Sequence, residues 1–145
     1  MATPSPFLCV DHVGYAVANL DDAIDFHCRV LGFRLLHRET NAEQGVEEAM
    51  LGTGEQLPQS AQVQLLAPLT PDSVIGKFIA SNGGRGGIQQ VCYRVADIDE
   101  ASAILRSRGV RLLYDVPKTG TAGARIQFIH PKDTGGILVE ITQPA

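Results

Sequence analysis

Four large polar residues stand at strand-like positions where apolar side chains are the rule: His12 and Gln90, 78 residues apart, and Gln64 and Glu140, 76 residues apart. Burying an amide or carboxylate without partners costs on the order of 2–7 kcal/mol, so each needs a compensating contact or a function. Taken singly, each has the ordinary explanation of a hydrogen bond within its sheet or an exposed edge. Taken as pairs, they offer one imidazole nitrogen, two amide oxygens and a carboxylate, a donor set for a divalent cation with an open side. A fifth candidate is Glu48, in Gly45-Val46-Glu47-Glu48-Ala49-Met50-Leu51. On a strand Glu47 shares its face with apolar Ala49 and Leu51, leaving Glu48 on the other face with Met50. A carboxylate there could act as a general base.

The elements that must position these residues come as a repeat. His12-Val13-Gly14-Tyr15-Ala16-Val17-Ala18-Asn19-Leu20-Asp21 lies over Gln90-Val91-Cys92-Tyr93-Arg94-Val95-Ala96-Asp97-Ile98-Asp99, Gly32-Phe33-Arg34-Leu35-Leu36 over Gly109-Val110-Arg111-Leu112-Leu113, and Val63-Gln64-Leu65 over Val139-Glu140-Ile141. Each copy opens with period-two alternation, which predicts a strand with one apolar face. Asn19 and Asp97 then supply N-cap side chains, each followed three residues on by an acidic one. The helices they start carry apolar residues at helical spacing (Ala23, Phe26, Val30; Ala101, Ile104, Leu105) and stop at Gly32 and Gly109, which suit the left-handed conformation. Strands are predicted over Phe33–His37, Glu47–Leu51 and Gln62–Leu66, and again over Arg111–Tyr114, Ala124–Ile129 and Ile137–Thr142. Each copy thus reads βαβββ. The fold class is α+β, with module 1 over residues 7–68, a linker over 69–86 and module 2 over 87–143, pairing into one domain with a shared cleft. Within the linker, residues 69–73 can start a short helix through Phe78, and Ser81-Asn82-Gly83-Gly84-Arg85-Gly86-Gly87 reads as a flexible connector, lacking the spacing of a phosphate-binding loop.

Composition narrows the function. The 145 residues are 44% hydrophobic, enough for one core, and the net charge of −4 comes with scattered Lys and Arg, which argues against nucleic acid. No apolar run approaches the roughly 20 residues of a membrane span, so a soluble cytoplasmic protein is expected. Cys9, Cys28 and Cys92 are odd in number and set among apolar residues, reading as core residues rather than a disulfide framework. His27 and His37 have no partner at ligand spacing and read as surface or helix-face residues, while His130 shapes the turn before Pro131.

Several stretches resemble the vicinal-oxygen-chelate superfamily and, within it, the methylmalonyl-CoA epimerase family: Asp11-His12-Val13-Gly14-Tyr15-Ala16-Val17, residues 44–51, Val63-Gln64-Leu65-Leu66-Ala67-Pro68 and His130-Pro131-Lys132-Asp133-Thr134-Gly135-Gly136-Ile137-Leu138-Val139-Glu140. The resemblance covers nearly the whole chain. It implies metal ligands at His12, Gln64 and Glu140 and a catalytic base at Glu48, with Glu140 as the second acid. The family opens its second module with two histidines, the second being the fourth ligand, whereas this chain has Gln89-Gln90. An amide oxygen is a harder, neutral donor, so Co2+ or Zn2+ should be held less firmly or lost. The implied reaction is proton abstraction from a methylmalonyl-CoA-like acyl thioester through a stabilised enolate. Two alternatives stand beside it: an isomerase or cyclase of another dicarbonyl with weakened or lost metal dependence, and a non-catalytic binder of a small molecule. Lys132 and Arg125 are candidates for substrate phosphate or carboxylate. A homodimer is expected, as small domains of this kind often pair through an exposed edge.

Overall fold

Alternation at the start of each repeat becomes a strand that pairs in parallel with the closing strand of the same repeat. The computed structural model describes residues 4–53 and 60–145, which group into two compact units: His12–Gln89, and the described residues of Met1–Asp11 together with Gln90–Ala145.

The His12–Gln89 unit begins within β1 (Phe7–Ala16), which from His12 on runs parallel to β4 (Gln62–Pro68), with Val13 opposite Val63 and Tyr15 opposite Leu65. Antiparallel β3 (Val46–Gly52) and β2 (Arg34–Asn41) follow, in the order β2-β3-β4-β1. Asn19 caps α1 (Leu20–Asp25), its Oδ1 accepting the Asp22 N–H at 2.9 Å, and so satisfies an amide that the first helical turn leaves unpaired. The helix continues as one π turn over Phe26–Val30, in which the Leu31 N–H reaches Phe26 O, and ends at Gly32 with φ 77°. Leu20 packs with Ala49, Leu51, Val63, Leu65 and Ala67, the apolar face that period two assigns to these strands. Across the sheet, α2 (Val74–Ser81), capped by Ser73, seats Ile75 against Ala16, Val46 and Leu66. The expected short helix is thus present and extends to Ser81.

In the other unit, β5 (Gly87–Val95), from Gln90 on, pairs in parallel with β8 (Val139–Gln143), Val91 opposite Val139 and Tyr93 opposite Ile141. Antiparallel β7 (Arg125–Ile129) and β6 (Lys118–Thr119) give the order β5-β8-β7-β6. Asp97 caps α3 (Ile98–Ser107), accepting from the Asp99 and Glu100 amides at 3.0 Å each, and Gly109 ends the segment with φ 80°. Ile98, Ala101 and Leu105 cover Val95, Ile129, Val139 and Ile141.

One expected strand is absent. Residues 111–114 make only an isolated bridge, Leu112 opposite Ile129, because fully buried Gln127 takes over part of the ladder: its Nε2 donates to Tyr114 O at 2.8 Å and its Oε1 accepts the Tyr114 N–H at 2.9 Å. The short strand Lys118–Thr119 pairs with β7 instead. Among the described residues no helix is long and apolar enough to cross a membrane, and all three cysteines are free thiols.

Gly86 sits where a Cβ would come within 2.4 Å of the Ala16 carbonyl oxygen, whereas one at Gly87 would meet nothing nearer than 3.4 Å. Gly86→Ala should therefore lower unfolding free energy by about 1–3 kcal/mol, with Gly87→Ala costing under about 1 kcal/mol, as urea denaturation would show.

Candidate active site

Glu48 faces away from the α1 core. Its partners across the ladders are Glu39 on β2 and Leu66 on β4, while Met50 stands opposite Gln64, so Glu48 and Gln64 are diagonal neighbours on one face. Both are 3% exposed, and the Gln64 Nε2 donates to Glu48 Oε2 at 3.2 Å. A hydrogen bond to an ionised acceptor contributes about 1.5–3 kcal/mol, which offsets part of the cost of burying the carboxylate. His12, buried on the same face, stands opposite Gln62, with Gly14 opposite Gln64. The parity argument that separated Glu48 from Glu47 holds: Glu47 is half-buried, opposite Ala67 on the α1 side.

The second unit contains a counterpart. Gln90 and Glu140 lie on the face that carries Cys92, which is directly opposite Glu140. The Gln90 Nε2 donates to Glu140 Oε2 at 2.6 Å, and both residues are buried. Each unit therefore holds a carboxylate through a glutamine amide from a neighbouring strand, but from different strands: Gln64 on β4 reaches Glu48 on β3, and Gln90 on β5 reaches Glu140 on β8. Cys92 is fully buried, and burial first, then the charges of Glu140 and Asp11, push its thiol far above the ordinary range. It is a neutral packing residue rather than a nucleophile. Arg94, two residues on, donates from Nε to Asp11 Oδ2 at 2.8 Å, and that bond raises the guanidinium further.

Whether the donors suit a divalent cation is a question of their chemistry. An amide ligates through oxygen, and in both glutamines the nitrogen is committed to a carboxylate, which turns the oxygen end to other partners. In the His12–Gln89 unit His12 and Gln64, and in the other unit Gln90 and Glu140, are buried groups of types that a cation with mixed nitrogen and oxygen ligands accepts.

Lys132 and Arg125 are placed differently from each other. Lys132 is exposed on the turn Pro131–Asp133, its N–H given to His130 Nδ1 at 3.1 Å, the turn-shaping part expected of that histidine. Arg125 is engaged by Asp99 through two bonds of 2.9 and 3.0 Å, fastening β7 to the first turn of α3. Sequence reading passed over one pair: His37 Nε2 is 3.1 Å from Glu39 Oε1, on the same face as Glu48. A strand running past His37 to Asn41 would have put the two on one face, whereas their place beside Glu48 comes from the β2–β3 register.

Residues 11–128 match the Glyoxalase/Bleomycin resistance protein/Dioxygenase superfamily. The mitochondrial methylmalonyl-CoA epimerase of Mus musculus is 36% identical over 134 residues, 92% of this chain and 72% of that protein. The crystal structure of methylmalonyl-CoA epimerase from Mycobacterium tuberculosis matches with a TM-score of 0.89 at 49% identity, covering 100% of this chain and 93% of that one. A variant of the Streptomyces coelicolor methylmalonyl-CoA epimerase in complex with 2-nitronate-propionyl-CoA matches with a TM-score of 0.88 at 40% identity, over 96% of this chain and 99% of that one.

The His130–Glu140 stretch is anchored by Asp133, which accepts from Arg111 Nη2 at 2.7 Å and from the Arg111 backbone N–H at 2.8 Å. The Arg111 side chain, and then its backbone amide, draw the Asp133 carboxyl down from 3.8 to about 2. A depressed carboxyl stabilises the fold above its unfolded value and stops doing so as pH falls through its folded one. Acid unfolding followed by circular dichroism should therefore show a contribution lost between roughly pH 4 and pH 2, and Asp133→Asn should remove that part of the slope.

Proposed function

The chain belongs to the methylmalonyl-CoA epimerase branch of the Glyoxalase/Bleomycin resistance protein/Dioxygenase superfamily, and on that premise we propose that it epimerises a methylmalonyl-CoA-like acyl thioester. The observation that carries the proposal is the buried Glu48 carboxylate, held by the Gln64 amide on a face otherwise suited to apolar packing. The carbon between a thioester and a carboxylate bears an acidic proton, and its removal leaves an enolate. A nitronate spreads negative charge over oxygens much as an enolate does, so the ligand of the Streptomyces coelicolor relative supports the same intermediate here.

In this reading Glu48 takes the proton, its Oε gaining what the substrate carbon loses. The Gln64 amide fixes which carboxylate oxygen stays bonded to protein and so orients the other lone pairs. Epimerisation requires a proton returned to the opposite face of the carbon, and Glu140, held by Gln90, is the acid assigned to that step. A divalent cation bound by His12, Gln64, Gln90 and Glu140 would act as a Lewis acid toward the enolate charge, a contribution of several kcal/mol. Gln90 in place of an imidazole makes Co2+ or Zn2+ weaker guests, and this favours a second reading, an isomerase or cyclase of another dicarbonyl that depends less on metal. Residence in the cytoplasm as a homodimer completes the proposal, the exposed Leu35 and Leu36 of edge strand β2 being apolar surface that a second copy could cover.

The test is solvent-deuterium incorporation at the α-carbon of methylmalonyl-CoA, with and without added cobalt. Exchange is expected in the unmodified chain and should fall by about 10²–10⁴ in Glu48→Gln. No exchange under either condition overturns the epimerase reading. Gln90→His should tighten cobalt binding, read directly by calorimetric titration.

A further inference from the structure

The carbon that Glu48 deprotonates in the epimerase reading carries a hydrogen, a thioester carbonyl, a carboxylate and a small alkyl group. The hydrogen goes to Glu48, and the carbonyl and carboxylate call for polar or cationic partners. The alkyl group gains from apolar contact, and its length distinguishes one acyl thioester of this class from the next. Along and across the ladder of the His12–Gln89 unit, the nearest apolar side chains on the Glu48 face are Val46, Leu66 and Met50. Val46, two residues back on β3, and Leu66, directly opposite on β4, are buried in one cluster with Ala16 and with Ile75 of α2, so their surface is already covered. Met50, two residues on, is placed otherwise. It is only 8% exposed, yet among the described residues it belongs to none of the three apolar clusters. Its partners across the ladders are polar on both sides, His37 on β2 and Gln64 on β4.

Resting on the epimerase reading, we propose that Met50 is a specificity-determining residue: its side chain receives the α-alkyl group of the substrate and sets the length accepted. Residues two apart on a strand share a face at a spacing of about 6–7 Å. A methionine, unbranched and with three rotatable bonds, spans that gap toward a carbon standing over the Glu48 carboxylate. Its thioether is soft and adapts to one carbon more or fewer, so methyl and ethyl groups fit, while a propyl group runs into the Met50 side chain. A methionine that only filled a core would stand among apolar neighbours, as Leu51 does on the opposite face with Ala49, Val63 and Leu65. Met50 stands instead beside the base, in a row of polar groups that needs no hydrocarbon for its own stability.

The ratio of kcat/KM values for two substrates reports differential transition-state binding, and it does not depend on how much of a preparation is folded. With the full chain, methylmalonyl-CoA should be preferred over propylmalonyl-CoA by at least about tenfold. Met50→Ala should move that ratio toward the propyl substrate by about tenfold or more, and the milder Met50→Val should move it the same way by less. Val46→Ala, on the other side of Glu48 but covered by α2, should leave the ratio within about twofold. No preference in the unmodified chain, a ratio indifferent to both Met50 substitutions, or an equal shift in Val46→Ala overturns the proposal. Loss of all turnover in both Met50 variants, with the unmodified chain active, assigns Met50 to packing and overturns it too. Absence of turnover of either substrate by the unmodified chain overturns the epimerase reading, and the role of Met50 falls with it.

Discussion

A carboxylate buried in a sheet must be met by donors, and here each unit meets its own with a glutamine amide from a neighbouring strand, Gln64 to Glu48 and Gln90 to Glu140. Much else follows from keeping those pairs in place. Two strands must hold register to within a fraction of an ångström, because a slip of one residue would carry every side chain to the other face. The antiparallel ladder β3–β4 supplies that register for the first pair, with Met50 opposite Gln64, and the parallel ladder β5–β8 for the second, with Cys92 opposite Glu140. The apolar clusters under α1 and α3 hold the reverse faces, so that the polar faces need not contribute packing of their own.

The caps and stops were legible in the sequence because they are local. Asn19, Ser73 and Asp97 each bond an amide two or three residues on, and Gly32 and Gly109 adopt the left-handed conformation that their positions after a helix imply. The inward turn of Glu48 was legible too, since period two needs only the residues on either side. The features that escaped depend on partners distant in the chain. Residues 111–114 have the composition of a strand, but Gln127, more than a dozen residues later, substitutes its side-chain amide for a backbone rung. Arg125 looked like a spare cation until Asp99 was found beside it. His37 read as a surface or helix-face residue because nothing in β2 itself says which of its residues opposes Glu48. That assignment comes from the turn in which the Gly45 N–H reaches Ala42 O, with Gly45 at φ 70°. The π turn over Phe26–Val30 is likewise a choice among hydrogen-bond partners that residue types do not express.

The hydrogen bonds also explain how glutamine can stand where the family has histidine. An imidazole ligand would present one nitrogen and need an acceptor for the other. Gln90 does the second job by donating its Nε2 to Glu140 at 2.6 Å, and in doing so it keeps that carboxylate in a definite rotamer whether or not a cation is present. Each amide–carboxylate pair is therefore organised by contacts within the protein itself.

Each unit also carries its own parallel strand pair, capped helix and apolar cluster, made mostly from its own repeat, with Phe7 from the start of β1 joining the cluster of the second. In evolutionary terms, a duplicated half with a self-sufficient core can drift while its twin stays under selection. The two amide–carboxylate pairs, built from the same residue types on different strands of each repeat, show how far that divergence has gone. Descendants of such a duplication can retune one half of a polar face by single substitutions, as at Gln90, without renegotiating the packing of the other.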